Sequence, residues 1–183
     1  MIRRAEIVDY VTYEDVRARF RSEVMKAKGL RRIHISEYLT LLFENHLTVR
    51  YQIQEMIRAE RIVRESDIVH EIDTYNELLG GEGELGCTLL IEIEDPALRD
   101  RKLREWWSLP EKTYVVLENG TRIPATFDER QRGDGRLSSV QYLKFKTGGA
   151  VPVALGVDLD DLRNENSLTH DQREALRADV GEA

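Results

Sequence analysis

The chain has 183 residues, 41% hydrophobic and 33% charged, with a net charge of −7, a globular balance that excludes a disordered chain and, for want of excess Lys and Arg, a general nucleic-acid binder. Its apolar runs fall far short of the roughly 18 residues that a membrane span needs, and no apolar stretch follows Arg3-Arg4, so neither a span nor a secretion signal is expected and the reading is a cytoplasmic protein. Cys87 is the single cysteine, which excludes an intrachain disulfide and any iron–sulfur cluster held by cysteines of this chain alone.

In chain order, Thr12 followed by Asp15 has the form of a capping box, and Val16, Phe20, Val24 and Ala27 recur at helical spacing until Gly29, which predicts a first amphipathic helix. Residues 17–32 hold seven Lys and Arg against Glu23 alone. That stretch reads as a solvated helix face, with an anion or acidic-partner site as the competing reading. Residues 32–35 and 39–43 are β-prone runs that predict two short strands. Over residues 46–63, Val49, Ile53, Met56 and Ile57 follow a helical period with no Gly or Pro, which predicts a second helix. Ser66 is the expected cap of a third, along Ile68, Ile72, Tyr75 and Leu79, ending at Gly80-Gly81. The short polar turn between these two predicts an antiparallel helical hairpin.

Gly81-Glu82-Gly83-Glu84 reads as a loop, since its carboxylates would repel phosphate. A strand over 88–93 follows, and Asp95-Pro96 opens a short helix running to about Trp107. Asn119-Gly120, between apolar runs at 114–117 and 123–127, is a hairpin signal. Two more strands, 140–145 and 150–157, flank a Gly148-Gly149 turn, and Thr169 with Gln172 forms the capping box of a last helix. Helices early and hairpin-linked strands later predict one α+β domain over residues 1–183: a mainly antiparallel sheet with helices packed on one face, including an N-terminal-half helical hairpin.

Nucleophilic catalysis finds no local signature. Ser138 and Ser139 lie in no nucleophile elbow, and Cys87, placed at a strand start, reads as a small buried hydrophobe. The polar faces of the hairpin are more informative. Tyr51, Glu55 and Arg58 lie at i, i+4 and i+7 on the second helix, as His70, Asp73 and Glu77 do on the third. If the hairpin brings those faces together, Tyr51, Glu55, Arg58 and Asn76 are candidates for binding a ligand or partner. His70 with Glu55, Glu71 and Asp73 would supply the nitrogen and oxygen donors that zinc, iron or manganese accept, so a transition metal is the candidate cofactor. The competing reading is a salt-bridge network in which Arg58 pairs with Glu55 or Asp73.

The runs Leu41-Leu42-Phe43-Glu44-Asn45, Tyr51-Gln52-Ile53-Gln54-Glu55-Met56-Ile57-Arg58-Ala59-Glu60, Glu71-Ile72-Asp73-Thr74-Tyr75-Asn76-Glu77-Leu78 and Val140-Gln141-Tyr142-Leu143 resemble a bacterial family catalogued as a domain of unknown function. The chain departs from that family's pattern at His46-Leu47, where Arg-Asp is more usual, and at Cys87, where a small residue is; His46 adds a further candidate ligand. The resemblance implies a setting beside rubrerythrin-like proteins and iron–sulfur oxidoreductases. Taken together, the expectation is an accessory or binding protein of an intracellular redox system. It would act through the hairpin cluster on a redox or iron–sulfur protein, or on a small anionic or metal-bearing ligand. The alternative is a metalloenzyme built on His70.

Overall fold

In the computed structural model, which describes residues 1–133 and 135–181, the first long element is helix α1, Tyr10–Gly29. It begins before the predicted Thr12 cap because Asp9, in extended conformation, accepts hydrogen bonds from the Val11 and Thr12 amides at 3.0 Å each. Strands β1 (Arg32–His34) and β2 (Leu39–Glu44) pair antiparallel, with Ile33 opposite Leu41. Helix α2, His46–Glu60, opens on Asn45: its side chain accepts from the Thr48 amide while the Thr48 hydroxyl accepts from the Asn45 amide, each at 3.0 Å. Arg61 closes α2 in the left-handed conformation, φ 51°. Helix α3, Glu65–Asn76, corrects the expected cap: Arg64 holds that position and Ser66 lies within the first turn, its hydroxyl donating to Asp67. Glu65 and Asp67 instead set negative charge at the helix N-terminus, where it is favourable.

Strand β3, Glu84–Ile91, starts four residues earlier than expected, so Cys87 sits in mid-strand and Leu85 joins the inward-facing row. Asp95 caps α4 (Pro96–Glu105), its side chain accepting from the Leu98 amide at 2.6 Å; this helix ends close to the expected Trp107, and a one-turn helix α5 (Leu109–Lys112) that was not expected follows it. The Asn119-Gly120 hairpin joins β4 (Thr113–Val116) to β5 (Arg122–Pro124), with Gly120 at φ 82°. The remaining elements are β6 (Thr126–Phe127), β7 (Val140–Lys146), β8 (Ala154–Val157), β9 (Asn164–Ser167) and α6 (His170–Gly181).

The fold is α+β and every strand pairing is antiparallel, but the strands form two sheets where one was expected: β1-β2-β3-β7-β6 and β5-β4-β8-β9. At one margin the chain leaves β5, turns at buried Ala125 and enters the first sheet as β6. The Gly148-Gly149 turn likewise carries β7 of one sheet to β8 of the other. At the opposite margin the side-chain amides of Asn164 and Asn166 on β9 donate to the Ile35 and His34 carbonyls beside β1, the latter at 2.7 Å. The two sheets thereby enclose one core, in which Leu41, Phe43, Leu89 and Phe145 meet Val115, Leu155 and Val157, with Leu103 of α4 and Leu176 of α6 packed in.

The other face of the first sheet carries the helices. Its residues run in cross-strand rows: Leu42, Thr88 and Tyr142 in one, Glu44, Gly86 and Lys144 in the next. Helix α2 packs between α1 and α3. A second apolar cluster of Ile2, Ile7, Val49, Ile53, Ile57 and Ile72 holds this layer together. The layer meets the sheet most closely where the chain leaves α3: a Cβ on Gly86 would lie 2.0 Å from the Leu78 carbonyl oxygen, so only glycine fits there.

Candidate functional site

Leu78 pins the end of α3 over β3, while the β7 residues beyond it stay uncovered, and a groove of about 840 Å3 lies between α3 and the β6–β7 margin. One wall is Glu71, Thr74, Tyr75 and Leu78; the other is Phe127, Asp128 and Gln131; Tyr142 and Lys144 lie between them. Gln131 explains why Tyr142 is presented there. Its carboxamide oxygen accepts from the Tyr142 amide at 2.6 Å and its nitrogen donates to the Tyr142 carbonyl at 3.0 Å, so this side chain extends the two-residue β6 and satisfies the strand edge. Tyr142 is left 41% exposed.

The second wall is held from behind by Arg132, whose guanidinium lies 4.7 Å from the Phe127 ring centre and 4.9 Å from that of Trp107 and pairs with Glu111 and Glu129. Arg130 pairs with Asp128. Lys144, by contrast, is in no ion pair among the described residues. Burial, and after it the negative charge of Glu71, raises the Tyr75 phenol; burial, and after it Glu44, raises that of Tyr142. Both phenols therefore stay protonated at neutral pH and can donate hydrogen bonds. The groove thus combines flat aromatic surface with donors from Tyr75, Tyr142 and Lys144.

Beneath the helical layer, in the same cross-strand row as Lys144, lies Glu44, a carboxylate only 4% exposed. Its Oε2 accepts from the Thr48 hydroxyl at 2.6 Å and its Oε1 from the Thr88 hydroxyl at 2.7 Å, with no ion pair among the described residues. Half-buried Lys28, with Nζ 5.6 Å from the Tyr51 ring centre, lies near enough to feel its charge; burial lowers the Lys28 ammonium pKa and Glu44 opposes that shift.

The hairpin cluster is arranged differently from the expectation. The polar face of α2 meets α1 and not α3. Glu55 Oε1 accepts from the Tyr13 hydroxyl at 2.7 Å and from Arg17 Nε at 2.8 Å, and its Oε2 accepts from Arg17 Nη2 at 2.9 Å. Burial pushes the Glu55 carboxyl up, but the Arg17 and Tyr13 hydrogen bonds outweigh it and hold the carboxyl below its usual range. Arg58 pairs with Glu14, where Glu55 or Asp73 was the expected partner. Tyr51 packs edge-on against Phe20 at 6.0 Å. Asn76 is buried and ties down the N-terminus, its side chain bonding the Ile2 amide at 2.8 Å and the Ile2 carbonyl at 3.0 Å.

His70 and Asp73 are exposed on α3, and Glu71 lines the groove. Among the described residues no three His, Cys, Asp or Glu side chains are grouped to hold a metal ion, so His70, Glu55, Glu71 and Asp73 do not form the expected ligand set. His46, the additional candidate, pairs with Glu6 at 2.9 Å. Cys87 is buried in the core between the sheets, where burial and then the Glu44 charge push its thiol well above the ordinary value.

Tyr75, Tyr142, Lys144, Phe127, Gln131 and Glu44 are site residues that sequence reasoning passed over. The alternation over 140–145 sets Tyr142 and Lys144 on one strand face, and Glu44 ends an otherwise apolar strand four residues before Thr48. Nothing in the sequence joins that strand face to α3.

Residues 1–180 match the model of a family described as protein of unknown function (DUF3501). The chain belongs to this family. A solved structure, described as a novel protein of unknown function from Burkholderia pseudomallei K96243, is 27% identical to this DUF3501 member, covers 98% of either chain and superposes with a TM-score of 0.90. The two-sheet architecture with its helical layer is therefore shared with that protein. No curated protein matches this DUF3501 chain.

Proposed function

We propose that this chain is a binding protein whose working surface is the groove between α3 and β7, and that it takes a small organic molecule with a flat apolar body and a hydrogen-bond-accepting end. The observation that carries this reading is the uncovered aromatic surface of Tyr142 facing the Tyr75 wall, with Lys144 beside it as an unpaired cation. The groove volume falls within the roughly 300–1,000 Å3 usual for sites that enclose such ligands, and its lining has the usual mixture of apolar surface and a few placed polar groups. A ring lying against Tyr75 and Tyr142 would gain contact area, and its acceptor end would meet the phenols and the Lys144 ammonium.

The only thiol is buried and held protonated, so a redox accessory role would not run through direct chemistry at Cys87. The polar cluster of Tyr51, Glu55 and Arg58 fits an internal brace between α1 and α2 better than a displayed site, since both Glu55 oxygens already have donors.

8-Anilinonaphthalene-1-sulfonate, a flat aromatic with an anionic end, is a direct probe. Its fluorescence should rise on binding to the native protein, and Tyr142→Ala and Lys144→Ala should each weaken binding by about three- to tenfold. Equal affinity for the native protein and both variants would defeat the proposal.

A further inference from the structure

We propose that the ligand of the groove between α3 and β7 is charged at both ends, with a flat aromatic body, an anionic group at one tip and a primary amine at the other. The inference rests on the groove being the binding surface and adds which molecules it selects. The chain from α3 onward sets the order of groups along the groove. The Leu78 carbonyl lies over Gly86, the direct cross-strand partner of Lys144. Tyr142, two residues before Lys144 on the same strand face, lies across from Tyr75. Glu71 stands one further turn back along α3 on the groove side, so it and Lys144 bracket the two phenols across about two helical turns, on the order of 10 Å.

Both end groups lack a partner. Glu71 is half-buried, and its carboxylate is in no ion pair or side-chain hydrogen bond among the described residues; Lys144 is in no ion pair among them either. After burial, the Glu71 charge is the largest influence raising the Tyr75 phenol, in keeping with a carboxylate beside that ring, and exposed Glu60 at the end of α2 adds charge of the same sign there. The other charged lining groups belong to the rim: Arg130 pairs with Asp128 and feels the charge of exposed Glu77 as well.

The lining as a whole therefore holds Glu71, Glu77 and Asp128 against Arg130 and Lys144. A ligand with an anionic end alone enters against that excess of negative charge, whereas an amine at the far tip meets Glu71 and offsets it. An amine without an anion leaves Lys144 unanswered. An α-amino acid carries both charges on one carbon and cannot reach both ends, so the groove selects molecules whose two charges lie on opposite sides of a ring.

Three compounds that share one ring test this by isothermal titration calorimetry: 6-(aminomethyl)-2-naphthoate, 2-naphthoate and 2-(aminomethyl)naphthalene. The native protein should bind the first at least about fivefold more tightly than either of the others. Glu71→Gln keeps the side-chain shape and should bring 6-(aminomethyl)-2-naphthoate down to the affinity of 2-naphthoate, while 8-anilinonaphthalene-1-sulfonate should bind more tightly because a like charge is gone. A merely structural Glu71 would not move the two probes in opposite directions. Lys144→Gln should bring 6-(aminomethyl)-2-naphthoate down to the affinity of 2-(aminomethyl)naphthalene. Equal affinity of the native protein for 6-(aminomethyl)-2-naphthoate and 2-naphthoate, a preference that survives Glu71→Gln, or weakening of both probes together in that variant would each overturn the inference. If 8-anilinonaphthalene-1-sulfonate still depends on Tyr142 and Lys144 in that event, the groove stands as the binding surface without this selectivity; if it does not, the groove reading falls as well.

Discussion

Two arginines show how burial decides the worth of a charge. Arg31 joins α1 to α6: its guanidinium pairs with Asp179 through bonds of 2.7 and 2.8 Å, donates to the Ala27 and Ala175 carbonyls, and both partners are more than nine-tenths buried. Arg31→Ala leaves the Asp179 carboxylate enclosed with Asn45 as its one side-chain donor among the described residues, and should cost about 3–5 kcal/mol in urea unfolding. Arg58→Ala removes a pair whose Glu14 partner is 54% exposed, and should leave the urea midpoint nearly unchanged. Comparable losses in the two variants would refute this assignment.

Glu55 gives a pH test. Its folded-state pKa is depressed, so its contribution is complete above the ordinary glutamate value of about 4.3 and is lost as pH falls through the lower folded-state value. The stability difference between native protein and Glu55→Gln should therefore be constant from neutral pH to about 5 and shrink below about 4. A difference independent of pH down to unfolding would show that Glu55 is not held ionised by Arg17 and Tyr13.

Among the elements, the junction of α3 with β3 is the one on which the groove depends. Gly86→Ala puts a methyl group 2.0 Å from the Leu78 carbonyl, and backbone cannot yield as a side-chain tip can. The variant should lose about 1–3 kcal/mol, and its loss should be accompanied by weakened probe binding in the groove. Unchanged thermal unfolding would mean that α3 does not rest on the sheet as described.

These elements also show what a sequence reveals. Helix α2, the Asp95 cap and the Asn119-Gly120 hairpin were legible because each depends on residues a few positions apart. The division into two sheets was not, because a glycine turn looks the same whether it closes a hairpin or carries the chain across to another sheet. The partner of Glu55 was misread for a related reason. Periodicity places Tyr51, Glu55 and Arg58 on one face of α2, but whether α1 or α3 lies against that face is a tertiary fact, and Tyr13, Glu14 and Arg17 settle it.

For the whole molecule, the two cores divide the work. The one between the sheets fixes β7 and its margin, and the one beneath α2 and α3 fixes the helical wall. The groove lies where these two bodies meet without covering each other, so both its walls are set by packing and its aromatic surface stays open. The measurement that tests this most directly is amide chemical-shift mapping of the 15N-labelled protein titrated with 8-anilinonaphthalene-1-sulfonate. Saturable shifts should concentrate at Thr74, Tyr75, Phe127, Gln131, Tyr142 and Lys144, and should need about three- to tenfold more probe to saturate in Tyr142→Ala. Shifts centred instead on Tyr51, Glu55 and Arg58, or unaffected by Tyr142→Ala, would contradict the account.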